Sequence, residues 1–314
     1  MQPFRKNIAI AIDGGGIRGI IVAKALSMLE DALGVTSHDI FRLCAGTSTG
    51  SILSAGIALG LTGAELFDLY RNLGDKVIRK TWRSLLWPLT RYRYALEPLR
   101  EVLHKYVRDR TMGELWEEDP KTDLVVTAFD LVENRTCFIK PWKANYAQWP
   151  IVKAVLASCC VPTYFPVVEG RYVDGGVGSY ANPCYLAAYE LRFCLEWDPR
   201  ETTLISLGTG RSPGGLAPGE ANRLLTTQWI TPLLGAFMQS ADDQQVHLVN
   251  TFFKTVDFRR FQVDMRQNIE MDDISAIPQL EVYGEILGSK ILNDEVDKVL
   301  NMTALRAPGQ GMDD

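Results

Sequence analysis

Gly46-Thr47-Ser48-Thr49-Gly50 sets a serine between two glycines, where the apolar run Ile40 to Ala45 gives way to the small-residue stretch Ser51 to Ala58. The first run reads as a buried strand and the second as a closely packed helix. A sharp strand-to-helix turn strains its central residue and lifts that side chain above the sheet edge, so the flanking positions must lack bulk. Gly46 and Gly50 meet that demand. The helix beside Ser48 also turns its unpaired amides and positive end toward the hydroxyl. A glycine-rich turn without chemistry can carry the same short string; the strand before it and the helix after it favour Ser48 as a nucleophile.

Upstream, Ile8 to Ile12 reads as a strand, followed by the turn Asp13-Gly14-Gly15-Gly16-Ile17-Arg18-Gly19. A helix comes next, its apolar face formed by Ile21, Val22, Ala25, Met28, Leu29, Ala32 and Leu33, with Gly34 as its C-terminal cap. The first fifty residues thus form a β-α-β-α unit, the pattern of a parallel sheet covered on both faces. Thr62-x-x-Glu65 is a capping box, and Pro98 stands in the first turn of a helix to about Arg108. Asp123 to Lys140 reads as two strands meeting near Glu133-Asn134, and Pro150 opens a helix from Ile151 to Cys160. Arg171 to Val173 is a short strand, Asn182-Pro183 opens another helix, and Thr203 to Leu207 is a buried strand. Arg211 to Gly219 reads as a surface loop and Phe258 to Asp264 as a late strand. Ile277 to Leu292 and Glu295 to Leu305 read as helices. One α/β domain over residues 1–306, with a frayed tail at 307–314, accounts for the chain.

Of the 314 residues 46% are hydrophobic and 23% charged, an ordinary globular composition. A net charge of -5 argues against a nucleic-acid partner, which demands a dominant basic surface. The six cysteines are scattered without metal-ligand spacing, so buried free thiols and a reducing compartment are expected, with no metal and no cofactor. Met1 to Lys6 runs at once into the first strand and no apolar run approaches a membrane span. The expected location is cytosolic or peripheral to a membrane.

A serine hydroxyl needs a base to take its proton and preplaced donors for the oxyanion that follows. Consecutive glycines at a helix start can turn their N–H groups into a concave anion site, which assigns Gly14, Gly15 and Gly16 as the oxyanion hole. Asp174, in Tyr172-Val173-Asp174-Gly175-Gly176, ends a strand before two glycines that permit close approach to its carboxylate. It is the expected general base. Gly14-x-Gly16-x-x-Gly19 also fits a dinucleotide fingerprint, but Asp13 would repel a pyrophosphate and the second strand ends without an acidic ribose ligand. No Gly-Lys-Ser/Thr follows either glycine run, as a P-loop requires.

Asp13-Gly-Gly-Gly-Ile-Arg-Gly19, Gly46-Thr-Ser-Thr-Gly50 and Asp174-Gly-Gly176, in that order, resemble the patatin-like phospholipases, acyl hydrolases with a Ser-Asp dyad on a three-layer α/β/α fold with a mainly parallel sheet. Ala157 to Pro166 resembles the segment that family carries before its catalytic Asp, and the likeness runs from about Ile8 to Ala187. It implies Ser48 as nucleophile, Asp174 as its partner, the Gly14 to Gly16 amides as oxyanion donors, and a phospholipid or other acyl-ester lipid as substrate. Arg18 matches the motif with two readings, an anionic headgroup ligand or an ion pair that holds the loop, the second favoured. Cys159 and Cys160 stand where the family commonly has small residues, a matter of packing more than chemistry. The order Ser48, Asp174, His247 would suit a Ser-His-Asp triad, but His247 lies in a helical stretch and the serine follows too few strands.

Lys80 to Tyr94 interleaves aromatics with basic residues and no acid inside an acidic protein. Trp82, Arg83, Trp87, Arg91 and Arg93 suit a membrane-docking or lid segment, or an amphipathic cover with solvated arginines. The expected activity is a phospholipase A-type acyl hydrolase. A neutral-lipid or general carboxylesterase, a ligand-activated membrane-damaging effector, and a binding protein that keeps the fold without turnover are the alternatives.

Overall fold

The computed structural model describes residues 2–298 apart from 80, 87, 88, 119–121 and 214. Its centre is a sheet of β1 (Asn7–Ile12), β2 (Leu43–Thr47), β3 (Asp123–Asp130), β4 (Arg135–Ile139), β5 (Tyr172–Asp174), β6 (Thr202–Leu207) and β7 (Asp257–Phe261). The order is β4-β3-β2-β1-β6-β7, with β5 also on β3. β1, β2, β3, β6 and β7 run parallel, and β4 and β5 pair antiparallel to β3.

β1 explains the layers. Ile10 and Ile12 point into one apolar cluster, whereas Ala9 and Ala11 point into a second on the opposite face. A strand apolar on both sides must be covered twice, which is the condition of a central parallel strand. The first layer holds α1 (Gly19–Leu33), α2 (Thr49–Ala58), α3 (Gly63–Lys76), α4 (Glu97–Val107), α5 (Ile151–Cys159) and α8 (Ile277–Leu292). α6 (Cys184–Tyr189) and the later half of α7 (Ile230–Phe252) cover the other face. Among the described residues no helix is long and apolar enough to cross a membrane.

The register brings the chemistry together. β2 lies along β3 as far as Thr47 opposite Thr127, and β5 begins on that same edge with Asp174 opposite Ala128. Because β4 occupies the other edge of residues 126–130, β2 and β5 meet end to end in one lane. Their tips carry Ser48 and Asp174.

Several expected boundaries move. β2 starts at Leu43, not Ile40, because the Thr36 side chain accepts from the Asp39 N–H and caps a helical turn, Ser37–Ile40. Ala32 and Leu33, assigned to the apolar face of α1, are exposed where that helix runs past its neighbours. Glu295 to Lys298 is irregular rather than helical; the rest of that expected helix, and the tail at 307–314, lie outside the described residues. The capping box at Thr62 and Glu65 and the left-handed cap at Gly34 form as read.

Candidate active site

Ser48 ends β2 and caps α2 with φ 53° and ψ −125°, a conformation that costs an L-residue on the order of 1–3 kcal/mol. Close packing enforces it: a Cβ on Gly50 would stand 2.1 Å from the Ile12 carbonyl oxygen. The turn is then tied at both backbone groups. The Ser48 N–H donates to Ser158 Oγ at 2.8 Å, and its carbonyl accepts from Ser51 Oγ at 2.6 Å and Cys159 Sγ at 3.1 Å. From α3, the Tyr70 hydroxyl donates to the Thr49 carbonyl at 2.8 Å and also meets the Thr49 hydroxyl.

Asp174 is fixed from the same helix end. Its N–H donates to the Cys160 carbonyl at 3.1 Å, so Ser158, Cys159 and Cys160 together grip both members of the pair. Oδ1 accepts from the Gly176 N–H at 2.8 Å. Oδ2 is buried without a well-formed hydrogen bond, and the Ser48 hydroxyl is the side chain that faces the carboxylate. Burial pushes the Asp174 carboxyl up to about 6, against the smaller opposing pull of Ser48 and the Gly176 amide. A carboxylate with that affinity for a proton is a better base than an exposed one and stays ionised at neutral pH.

The glycine loop divides its work. Gly14 is held at both ends, its N–H donating to the Ala181 carbonyl at 2.8 Å and its carbonyl accepting from Thr209 Oγ1 at 2.7 Å. Its amide is therefore engaged, unlike the other two of the expected trio, Gly15 and Gly16, whose N–H groups carry no hydrogen bond among the described residues. Gly16 needs to be glycine: its φ is +60°, and a Cβ would lie 2.3 Å from the Met271 carbonyl oxygen. Arg18 donates to the Gly15 carbonyl at 3.3 Å and to Ser212 Oγ at 3.4 Å; the ion pair expected of it is not formed among the described residues. Beneath the loop, Arg260 on β7 holds Asp13 at 2.9 Å and Asp242 on α7 at 2.9 Å. Burial and the neighbouring Asp242 push the Asp13 carboxyl up to about 7 against the pull of Arg260.

A narrow apolar cavity opens at Ser48, walled by Gly16, Ile52, Leu73, Val77, Leu99 and Phe165. Sharing Tyr164 and Met271 with it is a larger chamber of about 970 Å³, with charged and apolar walls, that reaches Asp13, Arg18, Trp229, Asp242 and Gln262. No histidine lines either space among the described residues. His38 Nδ1 meets the Ile57 carbonyl, and His104 meets Asp109.

The basic segment is brought to the cavity only in part. Ile78 before it and Tyr94 at its end both line the apolar cavity. Arg93 turns back onto Asp272 at 3.2 Å, beside the Tyr94 hydroxyl, which donates to the same carboxylate at 2.8 Å. Arg83 lies over the Tyr92 ring, and Arg91 and Leu89 are exposed. Trp82 opens a helical turn, Trp82–Leu85, and Trp87 lies outside the described residues. Sequence reasoning had no reason to single out Ser158, Tyr70 or Arg260. For Arg260 the alternation of β7 was the available signal, since it places an arginine among inward-facing residues.

A sequence profile of the patatin-like phospholipase family matches residues 10–188. The chain is 29% identical over 228 residues to an intracellular phospholipase A2 of Caenorhabditis elegans, which covers 65% of this chain but only 19% of that protein. It is 25% identical over 316 residues to Patatin-17 of Solanum cardiophyllum, 85% of this chain and 79% of that one. It is 30% identical over 207 residues to a cGAMP-activated phospholipase of Pseudomonas aeruginosa, spanning 62% of this chain and 59% of its relative. Among solved structures, VipD from Legionella pneumophila superposes over 93% of this chain and 67% of its own with a TM-score of 0.50 at 12% identity, a likeness of fold. A match of that extent, with Ser48 and Asp174 both inside it, places this chain in the patatin-like phospholipase family.

Proposed function

We propose that this protein is a metal-independent lipid acyl hydrolase of the phospholipase A type, working as one catalytic domain through a Ser48-Asp174 dyad. The observation that carries the reading is the end-to-end meeting of β2 and β5, which sets a strained serine against a buried carboxylate of raised pKa. Asp174 takes the Ser48 proton as Oγ bonds to the ester carbonyl carbon, and the amides of Gly15 and Gly16 receive the oxyanion. Collapse breaks the bond to the alcohol, which leaves with the proton from Asp174. Water then attacks the acyl-enzyme with Asp174 again as base, releasing the fatty acid and returning the proton to Ser48. Base and donors all come from the chain, so the scheme calls for no metal or cofactor.

The apolar cavity suits an acyl chain, and the charged side chains Arg18, Arg93 and Arg211 in the wall of the larger chamber suit a phosphate-bearing headgroup, which favours glycerophospholipid over neutral lipid. Mixed liposomes should yield free fatty acid and lysophospholipid by mass spectrometry, and a fluorophosphonate should label the Ser48 peptide. Diacylglycerol from triacylglycerol alone would make it a neutral-lipid lipase, and no product with no label would make it a binding protein. The chamber also favours a second reading, a ligand-gated form, since one relative is described as cGAMP-activated. Liposomes left intact until cell extract is added would favour it.

Six free cysteines, five of them buried, support a reducing, cytosolic setting. Contact with the membrane is assigned to the segment from Trp82 to Arg93, where Leu89 is 88% exposed beside exposed Arg91. Because Ile78 and Tyr94 wall the acyl cavity, lifting the segment between them would widen that cavity. Leu89→Asp with Arg91→Glu is expected to weaken sedimentation with anionic liposomes about tenfold and to spare hydrolysis of a soluble short-chain ester. Equal loss of both would make the segment a structural cover.

A further inference from the structure

β1 ends at Ile12, and from Asp13 to Gly16 the chain leaves the sheet with three glycines in a row. Glycines bring the greatest backbone freedom and no side chain with which to restrain it. Asp13 is thus the only residue of this stretch with a side chain that can anchor it. That side chain is buried, and Arg260 grips both of its oxygens. Arg260 is itself buried and fixed by Ser206 Oγ at 2.8 Å on β6 and by both oxygens of Asp242 at 2.9 and 3.1 Å on α7. Asp242 also accepts from Asn182 Nδ2 at 2.6 Å, and the neighbouring Ala181 carbonyl takes the Gly14 N–H at 2.8 Å. A closed ring of contacts therefore surrounds Gly14, which packs against Ser48: a Cβ there would lie 3.2 Å from the Ser48 Cβ.

We propose that Arg260 is a positioning residue for the oxyanion hole, acting through Asp13 to hold the Gly15 and Gly16 amides in line with Ser48. Arg260 touches no reacting atom. The inference rests on the acyl-hydrolase reading and adds to it the element that pre-orders the donors, which is what makes such donors effective. Two carboxylates share the one guanidinium, so α7, which walls the larger chamber, grips the same group from the other side.

Asp13→Asn is the safest probe of folding. It keeps the shape of the side chain and leaves Arg260 paired with Asp242, so no buried charge is stranded. On a soluble fatty-acyl ester kcat should fall by about 30-fold to 100-fold with KM within about threefold of wild type, a loss on the scale of one missing oxyanion donor. A trifluoromethyl ketone, which forms a hemiketal on Ser48 and needs the same donors, should lose affinity by the same factor, while the melting temperature does not fall. Arg260→Lys, which keeps the charge but not the two-pronged grip, should show the same pattern at about tenfold. A folded Asp13→Asn enzyme with kcat within about threefold of wild type, or one that keeps its affinity for the ketone, would overturn the proposal. An Arg260→Lys enzyme with wild-type kcat would remove Arg260 from the role even if Asp13→Asn is slow. Wild-type protein that hydrolyses no ester at all would instead sink the acyl-hydrolase reading itself.

Discussion

Ser48→Ala is expected to lower kcat on a soluble fatty-acyl ester by at least about 10⁴-fold, with folding unchanged. Alanine keeps the Cβ and so keeps the apolar cavity and the tight turn, but no oxygen remains to form an acyl-enzyme. Labelling by a fluorophosphonate should vanish with it. Ser48→Gly should be equally inactive and more stable than Ser48→Ala by about 1 kcal/mol, because glycine adopts the left-handed φ of 53° without strain. Rates measured across the two variants, together with urea denaturation, separate the chemical role of the residue from its conformational cost. Residual turnover within about a hundredfold of wild type would mean that some other group performs the attack.

Asp174→Asn should cost about 10³-fold or more in kcat and at the same time raise stability at neutral pH. The carboxyl titrates at about 6 when folded and at 3.8 when free, so below pH 3.8 both states are protonated and burial costs nothing extra. As pH rises toward 6 the unfolded chain ionises first and stability is lost; above 6 the loss is constant at about 3 kcal/mol. Asparagine carries no such penalty, so the variant should gain about 1–3 kcal/mol at pH 8 and nothing near pH 4. In the wild type, kcat/KM should fall as pH drops through about 6, when the base takes up its proton. Asp13→Asn should retain that limb, since Asp174 still titrates there. A flat profile from pH 5 to 8, or no gain in stability on substitution, would take Asp174 out of the assignment.

The convergence of Ser48, Asp174 and the glycine loop was legible because each stands in or beside unusual backbone, and unusual backbone is written locally as glycine. The Gly-x-Ser-x-Gly and Asp-Gly-Gly strings carry that requirement within a few residues. The division of labour inside the loop was not legible: whether Gly14 offers its amide to substrate or spends it on Ala181 depends on a contact far along the chain. Ser158, Tyr70 and Arg260 were missed for the same reason, since each makes its contact across the fold. The boundary error at Ile40 came from reading an apolar run as strand when Thr36 caps a turn there. The helical stretch read around His247 is only the later part of α7, which begins at Ile230 and runs through Pro232 and Gly235 as one helix.

The grip of Ser158, Cys159 and Cys160 on both Ser48 and Asp174 has a consequence for how this molecule is assembled. β5 is only three residues long, so its hold on β3 is short and the end of α5 fixes it from the other side. On the dyad reading, Ser48 and Asp174 are brought into line by the docking of a single helix end, so a variant that keeps its sheet and its core but loses that contact is expected to be folded protein without turnover.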